Sequence, residues 1–469
     1  TIINAGAGIR LDAATSLAAN GLVIPEAITI NGTGINATGA IRNILGINSL
    51  SNVITVGTTA SRINSIADTL KLTNGTSAIS FGANALTMGG ASHYIVTGLL
   101  LGSGGLTKDG SGTLILSGAN TGYSGTITAS TSGGVINVRN NDALGTTDIA
   151  TTINSGAALQ IQGGVTIAEQ IININGTGVS TNGALRSISG SNTLTGNINL
   201  QSASRINVDA DYLILNNGTS AVTFGANALT FGGLGTDSLS GKLNGTTTVT
   251  KDGAGTLVLN ADNGTSYTGA ATISAGLVKL IQNNALGSTS GATSVTAGAT
   301  VQLVGTGLTI PEPITLNGDG VSPNQGALRN PSGSNKWTGA TTLGSSGARI
   351  VSTGTVTDGS DSLVLTNTVA AGGLLTIDAT KGVNFTNVIS GAGGLTKIGN
   401  DTLLLGGANS YTGATTISNG VAQLQNQDAL GSTTPGATST TASTTSVASG
   451  AALKIIGNNF KIGRASCRE

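Results

Sequence analysis

Residues Gly104–Thr128 read GGLTKDGSGTLILSGANTGYSGTIT, and the chain repeats this stretch twice more. It returns as TTVTKDGAGTLVLNADNGTSYTGAATIS from Thr247 and as GGLTKIGNDTLLLGGANSYTGATTIS from Gly393. Lys108, Lys251 and Lys397 mark the three copies, and Tyr123, Tyr267 and Tyr411 recur in step with them. Each copy then runs into NNDALGTT, QNNALGSTS or NQDALGSTT. Within the stretch the apolar residues alternate, so that Leu114 and Leu116 share one face, as Leu257 and Leu259 do in the second copy. That is the period of a strand with one side buried. In three further aligned strands, Ile136/Val138, Val278/Leu280 and Ala422/Leu424 flank Asn137, Lys279 and Gln423.

The intervening segments repeat as well. NGTG at Asn31 matches NGTG at Asn175 and NGDG at Asn317, and NGTSAISFGANALTMGG at Asn74 matches NGTSAVTFGANALTFGG at Asn217. Repeats of this kind outrank every other sequence signal. They divide the chain into superrepeats of about 143 residues, at 1–147, 148–291 and 292–435, with a fourth beginning at 436–461.

Composition agrees with this reading. Glycine contributes 74 of 469 residues, charged residues 9% and aromatics 2%, against typical shares of about 7% Gly and 25% charged. Short strands separated by DG, NG, GG and SG turns, with no helical periodicity, predict an all-β chain. Few aromatics and no core Trp in each copy disfavour a sandwich. A β-solenoid fits better: coils of about 20–25 residues stack, bury a thin aliphatic core and place Gly and Asn at tight corners. Residues 1–461 are therefore expected to form one elongated parallel β-solenoid.

The same arithmetic excludes several functions. The formal net charge is zero and no basic run occurs, which argues against nucleic acid or an anionic membrane as the main partner. One cysteine excludes a disulfide framework or a thiolate cluster. No HExxH, GxSxG or P-loop is present, and no cofactor is expected. The chain opens without an initiator Met or a signal-like segment and reads as an internal fragment. Its last eight residues, Ile462–Glu469 (IGRASCRE), break the preceding pattern. They can be encoded by a string resembling a short-read sequencing adapter, and Cys467 is given no functional weight.

Other candidate residues read more readily as structural. His93 has no counterpart in the other copies and reads as a solvated or corner residue. Gly232–Ser240 matches a calcium-binding nonapeptide through Asp237, but without the neighbouring copies that such sites need. Asp209 and Asp211, two apart, suggest a carboxylate pair on one strand face near Arg205. Threonine is abundant, yet its runs are too irregular for an ice-binding array. The most regular charged feature is a series of trios: Glu26, Arg42, Arg62; Glu169, Arg186, Arg205; and Glu312, Arg329, Arg349. Their spacing of 16–20 residues approaches one coil, so each trio is expected to form a charge ladder in which Glu bridges the first Arg.

The motif GGLTKxGxxTLxLxGANxYTGxTTIS around Lys108 and Lys397 resembles the autotransporter-associated β-strand repeat, also called the passenger-associated transport repeat. The resemblance implies a right-handed parallel β-helix passenger on a bacterial surface, carried through the outer membrane by a C-terminal barrel. It brings no catalytic residue set. The expected role is a non-catalytic structural or adhesive stalk, secreted or held at the cell surface, with surface glycans or proteins as partners. The alternative is a β-helix enzyme acting on polysaccharide, or its scaffold.

Overall fold

The computed structural model describes residues 1–13, 21–58, 60–131, 133–146, 149–168, 171–322, 325–354, 362–431 and 444–457. Glu169, Cys467 and the whole of Ile462–Glu469 lie outside these residues, and the fourth superrepeat is described only at 444–457. The chain is all-β and forms a parallel β-solenoid, as the alternating pattern predicts. Contacts group it into two units, Thr1–Asn244 and Gly245–Glu469.

In the first unit a coil carries three short strands. Ile79–Gly82, Leu86–Gly89 and His93–Val96 form one coil. They pair in parallel with Leu100–Gly102, Leu106–Lys108 and Thr113–Leu116 of the next. The register then steps from Leu106 to Ile127, Thr151 and Ile172, intervals of 21, 24 and 21 residues by subtraction. In-register stacking superposes like positions, so inward residues form files along the stack. Leu114, Ile136 and Leu159 are one such file, and all three are fully buried.

The second unit repeats this arrangement. Ile310, Trp337, Leu365, Phe385, Leu405 and Leu424 follow one another on successive parallel strands and are all buried. The few aromatic residues are thus concentrated inside: Tyr94, Tyr123, Tyr267, Tyr411, Trp337, Phe81, Phe224, Phe231 and Phe385 are buried.

Corners set a harder problem than strands, because their backbone N–H and C=O groups turn inward without a ladder partner. Buried asparagines meet that need in every copy. Asn120 accepts from Leu100 N (2.8 Å) and donates to Ala143 O (2.6 Å), bonding to the coil on either side. Asn409 does the same with Ile389 N (2.8 Å) and Ala429 O (2.6 Å), and Asn263 donates to Ala285 O (2.7 Å). The repeated GAN or ADN and the repeated N/D-ALG are therefore two halves of one contact, made across adjacent coils. A second set works at another corner. Asn48 accepts from Leu22 N and donates to Asn43 Oδ1, while Asn335 accepts from Leu308 N and donates to Asn330 Oδ1.

The glycine closing the ALG segment has a steric reason. Gly145, Gly287 and Gly431 have φ of +93°, +111° and +94°. A Cβ at these positions would fall 2.4–2.7 Å from the backbone oxygen of Tyr123, Tyr267 or Tyr411 on the previous coil. Both the left-handed backbone and the close approach require glycine.

Replacing Asn120 with Ala leaves the Ala143 carbonyl and the Leu100 N–H buried without their partner. The expected cost is about 2 kcal/mol, from the penalty for unsatisfied buried groups. Urea denaturation followed by circular dichroism should show the lowered midpoint, while Asn120→Ala matching wild type would show that the clamp is dispensable.

Candidate functional site

Lys108, Lys251 and Lys397 lie at or next to the ends of strands whose alternation directs the side chain inward, and they are 0%, 2% and 0% exposed. A buried ammonium needs acceptors, and the turn that follows supplies them. Lys108 Nζ donates to the carbonyls of Asp109 and Gly110, Lys251 to Asp252 (2.7 Å) and Gly253 (2.9 Å), and Lys397 to Ile398 (2.8 Å) and Gly399 (2.7 Å). Burial brings Lys108 and Lys397 down to about 8. The KDG and KIG signatures thus describe a lysine folded back onto its own turn.

The repeated tyrosines are a second internal brace. Tyr123 donates its hydroxyl to Gly104 O (2.9 Å) and packs its ring 5.0 Å from that of Phe81. Tyr267 accepts from Val249 N (3.1 Å) and donates to Ala270 O (2.5 Å). Tyr411 lies 2.6 Å from Thr415 Oγ1, and burial raises it to about 12. Neither set of side chains is open to a ligand.

The first and third trios are arranged differently from the expected ladder. Arg42, Arg186 and Arg329 each stand between two inward residues and face outward. Glu312 instead lies in phase with the inward Ile310 and Ile314 and is 1% exposed. Glu26, exposed on the first coil, lines a cavity of about 270 Å³ together with Ile9, Leu11, Ile24, Ile28, Ile41 and Leu50. In the first and third trios, Glu and Arg therefore occupy opposite sides of the coil wall and do not bridge. Strand parity, invisible in the spacing, decides this. Glu169 lies outside the described residues.

Arg62, Arg186 and Arg349 pair with aspartates instead. Arg62 binds Asp109 with two bonds (2.7 and 2.9 Å), Arg186 binds Asp209 (2.7 Å) and Arg349 binds Asp378 (2.5 Å). Arg205 bonds Asn207 Oδ1 (3.1 Å), and Arg329 bonds Gln325 Oε1. The Arg62–Asp109 pair reaches over an intervening coil, where Gly89 stands. A Cβ there would lie 2.1 Å from both Arg62 Nη2 and Asp109 Oδ1.

Asp209 and Asp211 do not share a strand face. The strand ends at Val208, and Asp211 turns back with φ of +58° to accept from Gly190 N (2.7 Å). His93 is exposed and accepts from Thr113 N (3.1 Å). Asp237 points inward on Thr236–Leu239 and is 1% exposed. No cluster of three His, Cys, Asp or Glu fit for a metal exists among the described residues.

One outward feature escaped the sequence reading. Thr87, Thr107, Thr128, Thr152, Asn173, Asn199 and Thr223 lie in register on seven successive coils. Thr250, Thr272, Ser294, Thr315 and Thr342 form the matching file in the second unit. The first unit has no second threonine file beside it, since the positions two residues on hold Asp109, Ser130, Asn154, Asn175 and Gln201. The recurring LTK and TIT/TIS segments carried this signal, but only strand register shows that they superpose.

The family profile described as Passenger-associated-transport-repeat matches residues 106–138, 249–280 and 395–421. These stretches hold the Lys and Tyr braces. The chain is 28% identical over 349 residues to the adhesin BmaC autotransporter of Brucella suis biovar 1 (strain 1330), covering 74% of this chain and 8% of that protein. No solved structure matches. The chain carries three passenger-associated transport repeats and resembles an autotransporter passenger.

Glu312 has both carboxylate oxygens buried without a hydrogen-bond partner, and desolvation pushes it from 4.5 up to about 8. The folded state favours the neutral acid, whereas the unfolded chain ionises above 4.5. Its stability contribution is therefore complete below 4.5 and is lost as pH rises through about 8. Glu312→Gln should flatten that part of the profile, as read from urea midpoints of both proteins across the range. Parallel profiles would refute it. Gly89→Ala should break the Arg62–Asp109 geometry at a cost of at most about 1 kcal/mol, because the pair is partly exposed. A crystal structure and a melting curve of the variant check both halves.

Proposed function

We propose that this chain is part of the passenger of a larger autotransporter-type surface protein, serving as a non-catalytic stalk with an adhesive role. The observation that carries the reading is the use of the repeated polar residues. Lys108, Lys251, Lys397, Tyr123, Tyr267 and Tyr411 all bond inward, mostly to the chain's own backbone, and none is left to act on a substrate. Asp209 and Asp211, the carboxylates on which an enzyme reading would rest, are bound to Arg186 and to the Gly190 N–H. The likeness to an adhesin autotransporter agrees in direction, although the chain spans only 8% of that relative.

A solenoid suits this work because each coil is held by its neighbours, with stability accumulating along the stack and no cofactor required. The partner implied for export is a C-terminal outer-membrane barrel, and the implied location is the bacterial surface or the medium. Surface glycans or proteins are the proposed adhesion targets.

Fusing the chain between a signal peptide and an outer-membrane barrel tests the reading. Antibody should reach it on intact cells, and the cells should gain adherence to a panel of host-cell and abiotic surfaces. Display without any gain would overturn the adhesive part. Release of reducing ends from a polysaccharide panel would overturn the non-catalytic part.

A further inference from the structure

The first and second superrepeats place the same strands in the same register, so their outward residues can be compared position by position. In the second, Gln160 lies opposite Arg186, which lies opposite Asn207. Asp209, two residues beyond Asn207, binds Arg186 at 2.7 Å. In the first, Arg10 lies opposite Arg42, which lies opposite Asn64. Ile66 stands where the second copy has Asp209: Ile66 N donates to Asn43 O at 2.8 Å, as Asp209 N donates to Ser187 O at 2.9 Å.

Two differences therefore act in one direction. Glutamine is replaced by Arg10, and the aspartate that neutralises its neighbour is replaced by Ile66. The third copy again has glutamine, Gln302, opposite Arg329. Like charges directly opposite on paired strands repel, and adjacent strands are only about 4.8 Å apart. Among the described residues neither Arg10 nor Arg42 has an ion pair, and Arg42 Nε is buried without a hydrogen-bond partner. Asp12, exposed two residues from Arg10, makes no ion pair either. Asp68, on the coil stacked against Arg42, is engaged by Gly46 N at 2.7 Å, and Asp109, farther along the stack, is taken by Arg62.

We propose that Arg10 and Arg42, flanked by Asn64 and Ile66, bind the acidic groups of an anionic polysaccharide. Two arginines at one strand spacing present paired forks to carboxylate or sulfate oxygens. Ile66 is 40% exposed beside them and offers an apolar surface to the face of a sugar ring. The file of Thr87, Thr107, Thr128 and Thr152 begins beside Arg62 on the same strands and supplies hydroxyls along the direction in which a polymer would lie. Two unpaired charges are too few to hold a nucleic acid or an anionic membrane, which need many contacts. The proposal names the ligand class for the adhesive reading and rests on it.

The test is biolayer interferometry of the full chain on immobilised polygalacturonate, dextran sulfate and plain dextran. Binding to polygalacturonate or dextran sulfate is expected, falling as salt screens the charges, with dextran silent. Retention by the first alone assigns carboxylate, and by the second alone, sulfate. Arg10→Gln with Ile66→Asp rebuilds the pattern of the second copy and should weaken binding roughly tenfold or more, as expected for losing charge-assisted contacts. Its melting temperature should hold or rise, because the repulsion is relieved. Equal binding of variant and wild type, equal binding to dextran, or no binding to either charged polymer would overturn the proposal. Adherence of cells displaying the same double variant separates the two readings. Adherence that persists while polymer binding is absent sinks the patch and leaves the adhesive role standing.

Discussion

The parallel ladder between like strands of successive coils is the constraint on which everything else depends. Because register repeats, whatever stands at one position is stacked upon itself, inside as files of Leu, Ile and Val and outside as files of Thr, Asn or Arg. A file must be compatible with itself. Aliphatic and hydroxyl side chains meet that condition readily, whereas like charges do not. The low charge of the chain follows from this geometry.

Corners are where the ladder lapses, and they explain the polar residues of the repeat. A buried carbonyl costs as much unsatisfied in a solenoid as in any core. Asn120, Asn263 and Asn409 place both a donor and an acceptor in the wall, so one side chain can bond to neighbouring coils on both sides. Lys108, Lys251 and Lys397 instead gather the carbonyls of their own turn. Glycine at 145, 287 and 431 then lets the next coil approach the tyrosine corner beneath it. The motif that identifies the repeat is a list of corner solutions.

Glu312 runs against this economy. Glu26, its counterpart on the first coil, is exposed and lines a cavity, whereas Glu312 is enclosed with both oxygens unpartnered.

Much was legible in the sequence. Alternation in Thr113-Leu-Ile-Leu-Ser117, the recurrence of Lys and Tyr, and turn dipeptides every few residues determined strands and coils, because each is a local property of period and backbone freedom. Spacing also placed Glu and Arg about one coil apart. It could not say that Glu312 points into the core while Arg329 points out, or that Arg62 reaches past Gly89 to Asp109 rather than to a glutamate. Those outcomes rest on strand parity and on which coils lie against one another. Pairing partners are separated by 19 or more residues along the chain, and only the tertiary stack brings Arg10 against Arg42 and leaves Ile66 where an aspartate would have neutralised them.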